Sequence, residues 1–146
     1  MVGDAELHRS VAARLAEHDQ QYTANRRAVV DALAAAGAPI SLPDLLVAET
    51  SLAQSSAYRS LAVLAEVGVV RRLVHLGDHA LFELDEHLTE HHHHLICESC
   101  GTVADVILPD RAEAAMDLAF DEVAGAVGFR PRHHTVDIYG LCAGCR

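Results

Sequence analysis

Four cysteines in two Cys-x-x-Cys pairs, Cys97/Cys100 and Cys142/Cys145, bracket the last third of this chain, and four histidines, His91 to His94, run directly into the first pair. No ordinary core or surface needs metal-ligand chemistry at this density. Each pair sits on a short turn that points two sulfurs at one point, and two such turns close a tetrahedron with no position left for a substrate. A structural four-thiolate zinc site over Cys97, Cys100, Cys142 and Cys145 is the expectation. Two disulfides are the alternative and would suit a secreted domain, but the charged first 20 residues do not resemble an export signal.

The histidine run reads as the start of a strand through Leu95-Ile96-Cys97. Side chains alternate on an extended chain, so His91 and His93 face one way and His92 and His94 the other, and the run can feed two different metal sites. A solvated polar loop or a purification tag are the plainer readings, though a tag is normally terminal.

The 146 residues suffice for one core or two small modules. No apolar run approaches the roughly 20 residues of a membrane span, so a cytoplasmic protein with reduced thiols and no membrane partner is expected. All 11 basic residues other than histidine are arginine, a mark of a GC-rich genome. The net charge of −10 is uneven: residues 1–74 carry 8 acids against 7 arginines, and residues 75–146 carry 13 against 4. Only the near-neutral first half is suited to approach phosphate, and bound divalent ions would offset charge in the second.

Leu7, Val11 and Leu15 give an amphipathic helix over Asp4 to Glu17. Thr23 caps a second, from about Asn25 to Ala36 and stopped by Gly37. Ser41-Leu42-Pro43-Asp44 opens a short third, ending near Glu49. The fourth runs from about Ala53 to Val67, with Gln54, Ser55, Ser56 and Arg59 in its polar first turns, a composition that suits a DNA major groove as well as a solvated face. Val69 to Leu76, Gly77-Asp78 and His79 to Leu84 then read as a hairpin, and three helices followed by a hairpin make a winged helix. Arg26, Arg27, Arg59, Arg71 and Arg72 are its candidate phosphate contacts.

Residues 85–90 are polar and read as a hinge, giving a DNA-binding domain over 1–84 and a metal-binding domain over 91–146. The second holds strands through Cys97, at Val103 to Leu108 and at His133 to Leu141, and a helix from Pro109-Asp110 to about Val127. That helix should turn Met116, Ala119, Phe120, Val123 and Val127 inward and carry an acidic stripe of Glu113, Asp117 and Asp121. The class is α/β (α+β).

These pieces together, Ala57-Tyr58-Arg59-Ser60-Leu61, Phe82-Glu83-Leu84, the His91 to Cys100 block, and His134 eight residues before Cys142, resemble the ferric uptake regulator family over about Tyr22 to Cys145, most nearly its zinc uptake branch. The resemblance implies a homodimer with an N-terminal winged helix-turn-helix on double-stranded DNA and a C-terminal α/β dimerisation domain. It places Tyr58 and Arg59 on DNA, groups His92 and His94 with Glu83 in a regulatory site, and groups His91, His93 and His134 with a helix carboxylate, Asp117 or Glu113. Many members also have a histidine just before the third helix, where this chain has Ala38-Pro39-Ile40. The missing ligands fall to His75, His79, Asp85 or His87, with His87 and His79 first. The function implied is a metal-dependent repressor of metal-uptake genes on a palindromic operator, with zinc at the cysteines, a second and a third divalent ion per subunit, and no small-molecule substrate. Zinc is the favoured signal; an iron, nickel, manganese or peroxide sensor of the same family is the alternative. A metal-dependent hydrolase or a thiol oxidoreductase would leave the winged helix unexplained.

Overall fold

A computed structural model describes residues 3–73 and 79–146. Among these, α1 spans Asp4–Glu17, α2 Ala24–Ala36, α3 Leu42–Ala48 and α4 Gln54–Glu66. The Thr23 hydroxyl accepts from the Arg26 N–H at 3.3 Å and the Ser41 hydroxyl from the Asp44 N–H at 3.2 Å, so both helices begin where their caps dictate. Gly37 ends α2 at φ 64°, a left-handed conformation that a Cβ would strain.

Strands β1 (Ile40–Ser41), β2 (Val70–Leu73) and β3 (Leu81–Leu84) form an antiparallel sheet in the order β1-β3-β2. Its register pairs Val70 with Leu84 and Ile40 with Phe82. The expected wing is therefore present, while its Gly77-Asp78 turn and His75 lie outside the described residues. β1 went unanticipated because two residues directly before a helix cap leave no alternation to read. One core binds this half together: Leu7, Val11 and Leu15 of α1 pack with Val29, Val30 and Leu33 of α2, Leu45 of α3, Leu61 and Leu64 of α4, and Val69, Val70 and Leu84 of the sheet. Burial of side chains this size stabilises by about 1.5–3 kcal/mol each, before chain entropy is counted.

A single 3-10 turn, Glu86–Leu88, interrupts the expected hinge and leans Leu88 on that same core. Beyond it, β4 (His93–Cys97) is the centre of a second sheet, β5-β4-β6, antiparallel to β5 (Val103–Val106) and parallel to β6 (Asp137–Gly140). Helix α5 spans Asp110–Gly125. The expected inward stripe of α5 is not covered within the protomer: no α5 residue is buried, Phe120 and Val123 are 37% and 65% exposed, and Val127, just past the helix, is 81% exposed. The buried apolar residues after Leu84 are Ile96, Cys97 and Val103, so one protomer supplies no second layer to bury that helix face. No helix of the described residues is long and apolar enough to cross a membrane.

Candidate metal centres and nucleic-acid interface

The four cysteine sulfurs lie within 4.8 Å of one another, unbonded. Two turns of the same kind place them: the Gly101 N–H donates to the Cys97 carbonyl at 2.9 Å and the Arg146 N–H to the Cys142 carbonyl at 3.2 Å, each four residues on. Gly101 adopts φ 74° to close the first. Cys100 Sγ is 3.8 Å from Cys142 Sγ, and sulfurs about 2.3 Å from a tetrahedral zinc would stand about 3.8 Å apart. Backbone N–H groups of Cys100 and Cys142 bring the Cys97 thiol down to about 6, so it reaches the thiolate that metal requires near neutral pH. A Ser99 hydrogen bond works against the rise at Cys145, but Cys142, Cys100 and Cys97 crowd that thiol and push it up to about 11. Four thiolates repel when no cation is among them, which is the electrostatic mark of a site built for one.

The histidines alternate as strand geometry requires. His92 Nε2 and His94 Nε2 each approach Glu83 Oε2 at 3.1 Å, and Asp105 adds Oδ2 at 3.8 Å from His92 and Oδ1 at 3.8 Å from His94. His92 donates Nδ1–H to the Glu90 carbonyl at 2.9 Å and His94 donates Nδ1–H to Asp137 at 3.2 Å, so both rings are anchored at Nδ1 with Nε2 turned into the cluster. Outer hydrogen bonds of this kind fix the tautomer of a metal-binding imidazole. Burial opposes ionisation of Glu83, but hydrogen bonds from His92 and His94 outweigh it and bring its carboxyl down to about 2. The same bond to Glu83, against the opposing effect of burial, pushes His92 up to about 9 and raises His94. Glu83 Oε1 is buried without a hydrogen-bond partner.

On the other face, Glu113 of α5 receives His93 Nε2 on Oε1 at 2.8 Å and His134 Nε2 on Oε2 at 3.2 Å, with His91 Nε2 3.5 Å from Oε2. Burial works against it, yet His93, His91 and His134 lower the Glu113 carboxyl. Glu113 is thus the carboxylate brought among the histidines. Asp117, largely exposed, bonds only the outer ring nitrogen, His134 Nδ1, at 3.2 Å. His87 and His79 do not join the Glu83 cluster. His87 is 74% exposed and turns back to Asp85 at 2.6 Å, held by the 3-10 turn, and His79 lines a hollow with Tyr58, Arg72 and Phe82. Asp105 takes the fourth place instead. Its signal was a lone carboxylate within an apolar strand, but only the β4–β5 register, which pairs it with His94, shows that it matters.

At the winged helix, Tyr58 is 65% exposed near the start of α4. Arg59 is exposed beside it, its Nε–H donating to the Ser55 carbonyl at 3.3 Å. Arg26, Ser56 and Arg59 line one hollow between the α2 and α4 N-termini, and the exposed Arg27 lies over the Tyr22 ring at 5.7 Å. Arg71 departs from its expected role on phosphate. Neighbours on β2 point to opposite faces, so Arg72 is exposed while Arg71 turns in to Glu86 at 3.0 Å and Glu83 at 3.7 Å. A further group with no sequence-read role ties α1 to α2. Buried His8 bonds Asp31 at 2.9 Å, Asp4 at 3.2 Å and the Tyr22 hydroxyl at 2.7 Å, which satisfies both its ring nitrogens.

A winged helix facing outward at α4, joined through histidine and carboxylate clusters to a cysteine-closed sheet, is the plan of a metal-dependent transcriptional regulator. The ferric uptake regulator family model matches residues 17–139, and the chain belongs to that family, whose members are transcription regulators and not enzymes. It is similar to the peroxide operon regulator of Bacillus subtilis, 30% identical over 95 residues that span 65% of this chain and 60% of the relative's length. It is also similar to the ferric uptake regulation protein of Legionella pneumophila, 29% identical over 143 residues, 96% of this chain and 89% of that one. In fold it matches the Helicobacter pylori ferric uptake regulator, described as having three functional metal binding sites, at TM-score 0.74 and 19% identity over 97% of this chain and 92% of that one.

Proposed function

We propose that this chain is a metal-dependent repressor of metal-uptake genes that binds a palindromic operator as a homodimer, with zinc as the favoured signal. One observation carries the reading. Glu83, which extends from the winged-helix sheet, is shared at 3.1 Å by His92 and His94 of the other half. A divalent cation bound there supplies a bond between the two halves. Glu83 then fixes the angle of its α4 against the C-terminal sheet, and two such helices in a dimer would meet successive turns of DNA. Without metal only the hydrogen bonds from His92 and His94 to Glu83 hold that angle, and a bias of about 3–5 kcal/mol between the two conditions gives a near-complete switch.

Imidazole with carboxylate suits zinc, nickel or iron, and the absence of thiols from both histidine clusters puts zinc ahead of softer ions. The cysteines would hold a structural zinc, with Glu83, His92, His94 and Asp105 as the regulatory ligands and His91, His93, Glu113 and His134 as the third set. Uncovered Leu118 and Val123 on α5, with Val127 just past its end, support a dimer built at that end.

The test is operator binding with free zinc, nickel, iron(II) and manganese each buffered. His92→Ala with His94→Ala should abolish activation while the dimer and the thiolate metal persist. His91→Ala with His93→Ala should lower the metal count and shift activation to higher free metal. A larger defect from the second pair would reverse the assignment, and operator binding indifferent to every metal would end the proposal.

A further inference from the structure

Arg71 and Glu86 stand between the two histidine clusters, and neither is a ligand candidate of either. Glu86, in the 3-10 turn, divides its carboxylate: Oε1 accepts from Arg71 Nη1 at 3.0 Å and Oε2 faces His91 Nδ1 at 3.4 Å. The same Arg71 Nη1 is 3.7 Å from Glu83 Oε1, the buried oxygen without a hydrogen-bond partner, while Glu83 Oε2 lies between His92 and His94. An unbroken line of polar contacts thus runs from His91 through Glu86, Arg71 and Glu83 to His92 and His94. Its side chains at Arg71, Glu83 and Glu86 are between 6% and 25% exposed, so solvent screens them weakly.

We infer that the Arg71–Glu86 pair makes the two histidine clusters bind metal cooperatively, each ion raising affinity for the other; this rests on the reading that both clusters hold metal. His91 turns Nε2 toward Glu113 and Nδ1–H toward Glu86. Engagement of Nε2 with a cation makes Nδ1–H a stronger donor, which draws in Glu86 Oε2 and sets the whole carboxylate. Set in place, Glu86 holds the Arg71 guanidinium where it orders Glu83 Oε1, leaving Oε2 to the ring nitrogens of His92 and His94. Glu86 also neutralises Arg71, whose charge would otherwise stand beside a site that must accept a dication. The path works equally in reverse, as linkage demands. Because Arg71 lies on β2 and Glu86 on the connecting segment, the pair reports metal at Glu113 to the winged helix without any ligand there touching it.

The test is a four-protein cycle on the full chain with its cysteine metal in place: unaltered protein, His93→Ala, Glu86→Gln, and both together, with zinc affinity at the Glu83 cluster read by chelator competition. His93→Ala should weaken that affinity about tenfold in the unaltered background, a typical coupling, and less than about twofold beside Glu86→Gln. Arg71→Met, which keeps the stem packed, should erase the coupling in the same way and guards against a folding artefact of one variant. An equal His93→Ala penalty in all backgrounds overturns the relay, and so does a zinc count of one per subunit, which removes both histidine sites. If coupling is found yet zinc leaves operator binding unchanged, the relay stands and the proposed function falls.

Discussion

Metal binding at the Glu83 cluster should depend steeply on pH, because its imidazoles must first lose protons. In the metal-free protein Glu83 holds His92 at about 9 and raises His94, whereas Glu83 itself sits at about 2 and is already ionised. At pH 7 about one His92 ring in 100 is neutral, so proton displacement weakens binding about 100-fold, or ~3 kcal/mol, and each unit of pH rise recovers about tenfold. His94 adds to the slope in the same direction. Zinc affinity measured by chelator competition between pH 6.5 and 8 should therefore climb at least about one log unit per pH unit. Calorimetry in two buffers of different ionisation enthalpy should show at least one proton released per ion. Glu83→Gln removes the cause of the shift, so it should lower affinity and flatten the slope above pH 7 together. A flat affinity profile for the unaltered protein, or uptake without proton release, would refute the reasoning.

Arg59→Ala should weaken operator binding and reduce the salt slope by about one unit while metal content and dimerisation persist, and unchanged binding at every salt concentration would put the wrong helix in the groove. Cys97→Ser should leave the C-terminal half unfolded or aggregated, because the thiolate turns staple β4 to the end of the chain; a stable, zinc-responsive dimer by light scattering would contradict that. The metal-free protein should have its lowest urea midpoints at the pH extremes. The His92 value is raised from 6.5 to about 9, so its contribution is complete below pH 6.5 and lost as pH rises through 9. The Glu83 value is lowered from 4.5 to about 2, so its contribution is present above pH 4.5 and lost as pH falls through 2. Equal midpoints at pH 6.5 and 9 would show that the His92–Glu83 bond does not stabilise the fold. Leu64→Ala, at a position with no exposure, should cost about 2–5 kcal/mol, and a cost under about 1 kcal/mol would mean that the core collapses around the gap.

The helices of the first half were legible because their caps and apolar spacing agree: Thr23, Gly37 and Ser41 sit where the ends fall, and Leu7, Val11 and Leu15 all reach the core. The separation of His91 and His93 from His92 and His94 was legible too, since period-two alternation depends only on an extended chain. Partners brought by register were not. Asp105 comes opposite His94 through β5, and Asp137 reaches it through a parallel pairing 43 residues away, neither of which follows from local pattern. Arg71 was misread because two adjacent arginines look alike in sequence, although alternation along β2 sends only Arg72 outward. The α5 stripe was read correctly as apolar and wrongly as inward, because periodicity reports a face and not what covers it.

The ordering of ligands along β4 bears on how such a chain can change over generations. Each step along the strand reverses the side on which a residue emerges, so loss or gain of one residue between His91 and Ile96 would hand the ligands of each cluster to the other and mismatch both carboxylates. A change of two residues restores every side. Length variation in this stretch should therefore survive in even steps.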